Sequence, residues 1–316
     1  MLSNYQSIFS FALCSALCTV ALAKPHPQHR HGGGWGPPAP VATSTPAVAA
    51  ATAATSAASP ATSSGTTTTS SSGAVSGKGL IYYSGPPLSA YNAADLAFSL
   101  DWADTAAADG ASLGTFVPMC SGLAQVSSCT GVVTEGQSVV GFNEPENPAE
   151  AFMLPTTAVS NWGPINDLRA SKGAKIGTPA VSNAGGPDGT TATVSANGVE
   201  NNPQGITWLS QFLANATTEG YTFDFVAYHW YEGDQSDLLA QTSAMQKLAK
   251  QYKIDTVLVT EMGFNDPSTE CSNVEWLVNN FIATSGAAGY AYSTSTWGLG
   301  NTLMSSSGVL TDVGTA

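Results

Sequence analysis

Thr256-Val257-Leu258-Val259-Thr260-Glu261-Met262-Gly263 is the stretch whose reading decides the architecture. Its first five residues favour strand and lack the polar alternation of a half-exposed strand. Both faces must therefore be covered, which is the condition of a parallel sheet under helices. Residues 238–252 before it and 274–282 after it space their apolar side chains three and four apart, as helices packed by one face do. Residues 289–293 then read as the next strand, so the unit is strand, helix, strand.

The same alternation extends back along the chain. Further strand candidates are residues 80–83, 98–102, 114–118, 139–142, 175–179 and 223–229, with a helical pattern at 206–214. Eight strands in about 240 residues match the size of a (β/α)8 barrel, so the expected fold class is α/β, a single (β/α)8 barrel over residues 79–316. An open doubly wound sheet is the alternative, but no Gly-rich phosphate loop follows the first strand.

Ahead of this domain the composition changes. Residues 8–22 form an apolar and small-residue run closing on Ala21-Leu22-Ala23, a pattern that predicts a signal peptide over residues 1–23 and secretion. The run is short for a membrane span, and none is expected. Residues 24–78 read as a His/Gly/Pro tail and an Ala/Ser/Thr/Pro-rich linker; from 39 to 76 they carry no aromatic or charged side chain. His26, His29 and His31 lie in the tail without the spacing of a closed metal site, and no metal or cofactor is expected.

Charge narrows the partners. The 22 acidic residues all follow the linker and meet only 6 basic ones there, a net charge near −16 (22 acids less 6 bases). Such a surface repels phosphate backbones, which excludes nucleic acid and leaves neutral polymers. With Cys14 and Cys18 in the signal segment, the domain keeps Cys120, Cys129 and Cys271. The nine-residue separation favours a Cys120–Cys129 bridge, although either could meet Cys271 instead. Asn215-Ala216-Thr217 is a glycosylation sequon in keeping with an extracellular protein.

A barrel assembles its chemistry at the carboxyl ends of its strands. There stand Glu144 and Glu261, each after an apolar run. A pair of facing carboxylates is what glycosidic cleavage needs, one to protonate the leaving oxygen and one to attack or to activate water. Either glutamate alone could equally anchor a loop. Asn143 adds an amide suited to a sugar 2-hydroxyl, and Trp102, His229, Trp230, Tyr231 and Trp297 supply a rim of rings suited to sugar faces. Glu146 is expected to turn outward or to brace its loop, and Asp101 and Glu232 to line subsites. Tyr231 is the expected donor to Glu261, and the acid of the pair is expected to have a raised pKa.

The motifs Gly141-Phe142-Asn143-Glu144-Pro145-Glu146, Ala227-Tyr228-His229-Trp230-Tyr231 and Val259-Thr260-Glu261-Met262-Gly263-Phe264 together resemble glycoside hydrolase family 128. The family is largely one of fungal β-1,3-glucanases and related alkali-sensitive-linkage cell-wall proteins. The resemblance spans residues 79–316 and ends on Leu310-Thr311-Asp312-Val313-Gly314; Met262 stands where the family often has an aromatic. It implies that Glu144 is the acid/base and Glu261 the nucleophile of a retaining reaction, with β-1,3-glucan or its oligosaccharides as substrate and a monomer in the wall or medium. The competing readings are a non-catalytic glucan-binding or structural wall protein, and a hydrolase of another β-glucan or of mannan.

Overall fold

The computed structural model describes residues 74–82, 88–91, 95–108, 110, 112–294 and 303. The expected signal peptide, nearly all of the linker, Trp297 and the closing 310–314 motif lie outside the described residues.

Among these residues the strands are, in chain order, β1 (Gly77–Ile81), β2 (Phe98–Leu100), β3 (Thr115–Phe116), β4 (Ser138–Val139), β5 (Lys175–Ile176), β6 (Thr193–Ala196), β7 (Val199–Pro203), β8 (Phe225–Glu232), β9 (Thr256–Phe264) and β10 (Gly289–Ser293). Six of them form a parallel sheet in the order β3-β2-β1-β10-β9-β8, and β4 pairs in parallel with β5. Isolated parallel bridges carry the pairing onward: Met119 to Val140 beyond β3, and Gly177 to Phe225 and Val181 to Tyr228 between the β5 segment and β8. All eight expected strand segments are thus present in an α/β fold with parallel strands. The antiparallel hairpin β6–β7 was not anticipated; Asn197 and Gly198 at its turn both take positive φ, the conformation tight hairpins demand.

The helices are α1 (Val126–Val132), α2 (Pro155–Ser160), α3 (Gly163–Lys172), α4 (Gly205–Thr218), α5 (Gln235–Gln251) and α6 (Glu270–Trp276), the last running through a π-helical turn, Leu277–Phe281, into α7 (Ile282–Ser285). The helix expected at 206–214 is α4, and that at 238–252 is α5, which starts three residues earlier. It does so because Asp234 caps it, accepting from the Asp237 amide at 3.0 Å. Pro164 and Pro155 sit in the first turns of α3 and α2, where a missing N–H costs nothing.

Strand side chains alternate between two cores. One set, including Val226, Tyr228, Trp230, Val257, Val259, Met262, Tyr290 and Tyr292, meets the helices. There Trp162, Trp208 and Phe212 are fully buried, Phe212 lying 5.1 Å from Trp162 and stacked on Trp208 at 5.5 Å. Truncating such a ring costs about 3–5 kcal/mol. The other set, including Ile81, Leu100, Met119, Val140, Phe225, Ala227, Leu258 and Ala291, comes from the strands and their extensions alone.

The folded unit begins earlier than the expected boundary at residue 79. β1 starts at Gly77, the Val75 amide donates to Ser138 Oγ at 3.1 Å, and Ala74 and Val75 pack against the strand-only core. Their apolar side chains, unremarkable inside a low-complexity run, close that core at one end.

Candidate active site

Glu144 follows the β4 segment, whose extension bonds to both neighbours: the Asn143 amide donates to Ser121 O at 2.9 Å and the Glu144 amide to Ala180 O at 2.8 Å. Glu144 itself has φ +37°, in the left-handed region that non-glycine residues avoid, and Trp102 has φ +59°. Such strain persists only where the surroundings enforce it, and it gathers at functional sites. Here it coincides with two residues of one cleft of about 400 Å³, lined by Trp102, Asn143, Glu144, Asn147, Glu150, Tyr231 and Glu261.

Glu261 reaches this cleft through a bulge. In the pairing of β8 with β9, Tyr228 opposes Val259 but His229 opposes Glu261, so Thr260 is an extra residue on β9. The pairing with β10 shifts at the same place, with Tyr290 opposite Val259 and Tyr292 opposite Met262. Were β9 regular through Thr260, Leu258 and Thr260 would share the inner face and Glu261 would point at the helices. With the bulge, Glu261 joins Leu258, His229 and Tyr231 on the inner side, while Val259 and Met262 remain in the helix-facing core.

Around the two carboxylates the donors are specific. His229 Nδ1 lies 2.9 Å from Glu144 Oε1 and 3.5 Å from Glu261 Oε2. The two oxygens can therefore be no farther apart than those distances together, 6.4 Å. Glu261 accepts the Trp102 indole N–H on Oε2 at 2.6 Å and the Tyr231 hydroxyl on Oε1 at 2.8 Å. Glu144 Oε2 accepts from Asn147 Nδ2 at 2.7 Å.

Electrostatics follow from this arrangement. Burial works against a charged His229, but the carboxylates of Glu261 and Glu144 outweigh it and raise the imidazole pKa above its ordinary value. Burial likewise pushes Glu144 upward, and the hydrogen bond and charge of His229, helped by Asn147, reverse it, so that the Glu144 carboxyl lies below its ordinary value. The expectation that this carboxyl would be raised is thus corrected: the reading of Glu144 as isolated beside a second negative charge left out the fully buried imidazole that touches both.

The structure sorts the other candidates. Tyr231 is the donor to Glu261, as expected, and Trp102 faces the cleft but also serves as a donor. Asn143 lines the cleft with its Nδ2 committed to Glu150 Oε2 at 3.0 Å. Trp230 does not share a rim with His229 and Tyr231. Being one residue out of phase on the same strand, it points to the helix side, 1% exposed and edge-on to Phe264 at 5.3 Å. Glu146 braces its loop from full burial, accepting from Ser182 N at 2.6 Å and Ser182 Oγ at 2.8 Å; burial and the charge of Glu144 push its carboxyl up to about 7. Asp101 ties down its own turn through the amides of Ala103 and Ala107. Asn147 and Glu150 were missed. They sit on an irregular segment with no periodicity to assign their direction, and the only available signal was their nearness to Glu144.

Cys120 and Cys129 form a disulfide with Cα atoms 5.3 Å apart, tying the segment after β3 to α1, while Cys271 is buried in α6 outside that bridge. Asn215 of the sequon is exposed on α4. Among the described residues no group of three or more His, Cys, Asp or Glu side chains is placed to hold a metal ion, and no helix is long and apolar enough to cross a membrane.

Comparison with known proteins assigns the chain to a family. Residues 79–316 match the family described as the glycosyl hydrolase catalytic core, and the chain belongs to that family; it is a glycoside hydrolase. A curated relative, alkali-sensitive linkage protein 1 of Schizosaccharomyces pombe, is 26% identical over 213 residues, which cover 60% of this chain but only 34% of that protein. Similar solved structures come from glycoside hydrolase family 128. A curdlan-specific exo-β-1,3-glucanase from Blastomyces gilchristii, in complex with glucose, shares 24% identity at a TM-score of 0.57 over 76% of this chain and 96% of that one. An endo-β-1,3-glucanase from Amycolatopsis mediterranei, in complex with laminaritriose, shares 22% at a TM-score of 0.55 over 76% and 97%. At these identities the likeness speaks for the fold.

Proposed function

We propose that the chain is a secreted retaining β-1,3-glucanase, with Glu261 the nucleophile and Glu144 the acid/base, acting at the mouth of a closed (β/α)8 barrel. The observation that carries this reading is the single imidazole nitrogen facing two carboxylates in one cleft. It bounds their nearest oxygens at 6.4 Å. A retaining pair stands about 5–5.5 Å apart and an inverting pair roughly 6.5–9.5 Å. Closure of the barrel is supported by the bridges that join β3 to β4 and the β5 segment to β8. The β-1,3 linkage is supported by the substrates named for the structural relatives, and export by the amino-terminal run and the disulfide.

Each residue then has a step. Tyr231 and Trp102 fix the Glu261 carboxylate by its two oxygens so that it attacks the anomeric carbon. Glu144 must give a proton to the departing oxygen as that bond breaks, and His229 Nδ1, 2.9 Å from Glu144 Oε1, supplies it in this reading when the imidazole is protonated. Passing it to Oε1 leaves a neutral imidazole and a protonated acid, so the pair titrates as one unit. After the leaving group departs, Glu144 takes a proton from water, which releases the sugar from Glu261 with its configuration retained.

The test is mass spectrometry of Glu144→Gln and Glu261→Gln proteins exposed to an activated β-1,3-glucosyl donor, beside turnover of laminarin, cellulose and mannan by the native chain. A covalent adduct on Glu144→Gln, none on Glu261→Gln and turnover of laminarin alone are expected. An adduct on Glu261→Gln refutes the assignment, and turnover of cellulose or mannan in preference refutes the linkage.

A further inference from the structure

On the outer side of β8 lies a cavity of about 520 Å³ that the catalytic cleft does not use, lined among others by Asn183, Gly186, Trp230, Glu232, Asp237 and Gln241. Gln241, on the inner face of α5, is 1% exposed, and neither its Nε2 nor its Oε1 has a hydrogen-bond partner. A buried amide left without partners forfeits its hydration for no return, whereas Leu or Met would fill this helix position at no such cost. Its neighbours on α5 show the contrast: Thr242 is equally buried and has two partners, Tyr228 Oη and Leu238 O.

The groups that face the cavity select a chemistry. A side-chain amide offers a donor and an acceptor side by side, which matches two neighbouring hydroxyls. Glu232 and Asp237 accept further hydroxyl protons and repel anions. A divalent cation needs six or more oxygens in a shell far smaller than this volume, and only two carboxylates are at hand. The space falls within the range of small-ligand sites. A thin wall separates it from the cleft. The Tyr231 amide donates to Asn183 Oδ1 at 3.2 Å and Asn183 Nδ2 to Glu232 Oε1 at 3.3 Å, while the Tyr231 ring faces Glu261 on the other side.

We propose that this cavity is a second saccharide-binding site, which takes one sugar unit of a neutral glucan through the amide of Gln241 and the carboxylates of Glu232 and Asp237. That the sugar is glucosyl rests on the function proposed above; that the ligand is a neutral saccharide does not.

The experiment uses the full chain carrying Glu261→Gln, so that no ligand is consumed. The side-chain amide signal of Gln241 and the indole N–H of Trp230 are followed by NMR during titration with laminaritriose, cellotriose, mannotriose and calcium chloride. Both signals should move with laminaritriose, with saturation in the millimolar range. Adding Gln241→Met or Asp237→Ala should weaken the response at Trp230 about tenfold or more. Two variants are used because one of them changes a buried residue. Movement with cellotriose or mannotriose alone supports the site while refuting the proposed linkage. Signals that stay still with every saccharide, or that move only with calcium, overturn the proposal.

Discussion

Tyr231 donates its hydroxyl to Oε1 of Glu261 at 2.8 Å from the neighbouring strand, two residues beyond the histidine that opposes Glu261 in register. Burial and the charge of Glu261 raise the phenol pKa above its ordinary value, so it remains a donor throughout the working range. Tyr231→Phe should lower kcat/KM on the order of 10- to 100-fold, the value of a hydrogen bond to a charged group, through kcat more than KM. Steady-state kinetics on a soluble laminari-oligosaccharide check this; an unchanged kcat contradicts it.

Glu146 makes stability depend on pH in the direction opposite to a paired surface carboxylate. Its carboxyl is pushed from an ordinary 4.5 up to about 7. A raised folded-state pKa contributes stability that is complete below the unfolded value and is lost as pH rises through the folded one. Between about pH 4.5 and 7 the native protein should lose about 3 kcal/mol from this group. Glu146→Gln, which imitates the protonated form, should match the native protein near pH 4.5 and exceed it above pH 7 in denaturant melts.

Gly141 lies three residues before Glu144, and a Cβ there would meet the Trp162 ring at 2.4 Å and Pro179 N at 3.0 Å. Trp162 is fully buried and cannot swing aside. Gly141→Ala should therefore destabilise by about 1–3 kcal/mol through overpacking and reduce kcat through displacement of Glu144. Thermal melts and kinetics on the same preparation test both halves.

The Cys120–Cys129 bridge closes a short loop, nine residues apart in sequence. Replacing both cysteines by Ser should cost about 2–3 kcal/mol by loop-closure entropy, with the active-site hydrogen bonds untouched. A fall in melting temperature at unchanged kcat is the expected pairing.

What could be read in the sequence followed from periodicity. The parallel strands, α4 and α5 are long or strongly patterned, and the glutamates end apolar runs, so their placement was legible. Where the period breaks, legibility ended. Trp230 was grouped with His229 and Tyr231 because proximity in sequence was allowed to stand in for alternation, which strand geometry forbids. Asn147, Glu150 and the β6–β7 hairpin lie where backbone hydrogen bonds in loops, not side-chain pattern, set direction. His229 between the carboxylates was invisible because its effect on Glu144 depends on strands that meet only in space.

The extra residue at Thr260 acts as a phase shifter between two readings of one strand. Upstream of it, the packing of β9 is written in one frame; downstream, its chemistry is written in the other. Deleting Thr260 would restore ordinary alternation with Glu261 still inward, whereas keeping Thr260 in a regular ladder without the bulge would turn Glu261 toward the helices. Chains that share this fold can therefore be sorted by counting residues between the last inward aliphatic and the glutamate of β9: an interval of three, as from Leu258 to Glu261, keeps the carboxylate in the cleft, and an interval of two without the insertion keeps it there by ordinary alternation. Any alignment that slides one such strand onto the other without a gap will equate the cleft glutamate of one with the bulge residue, here Thr260, of the other.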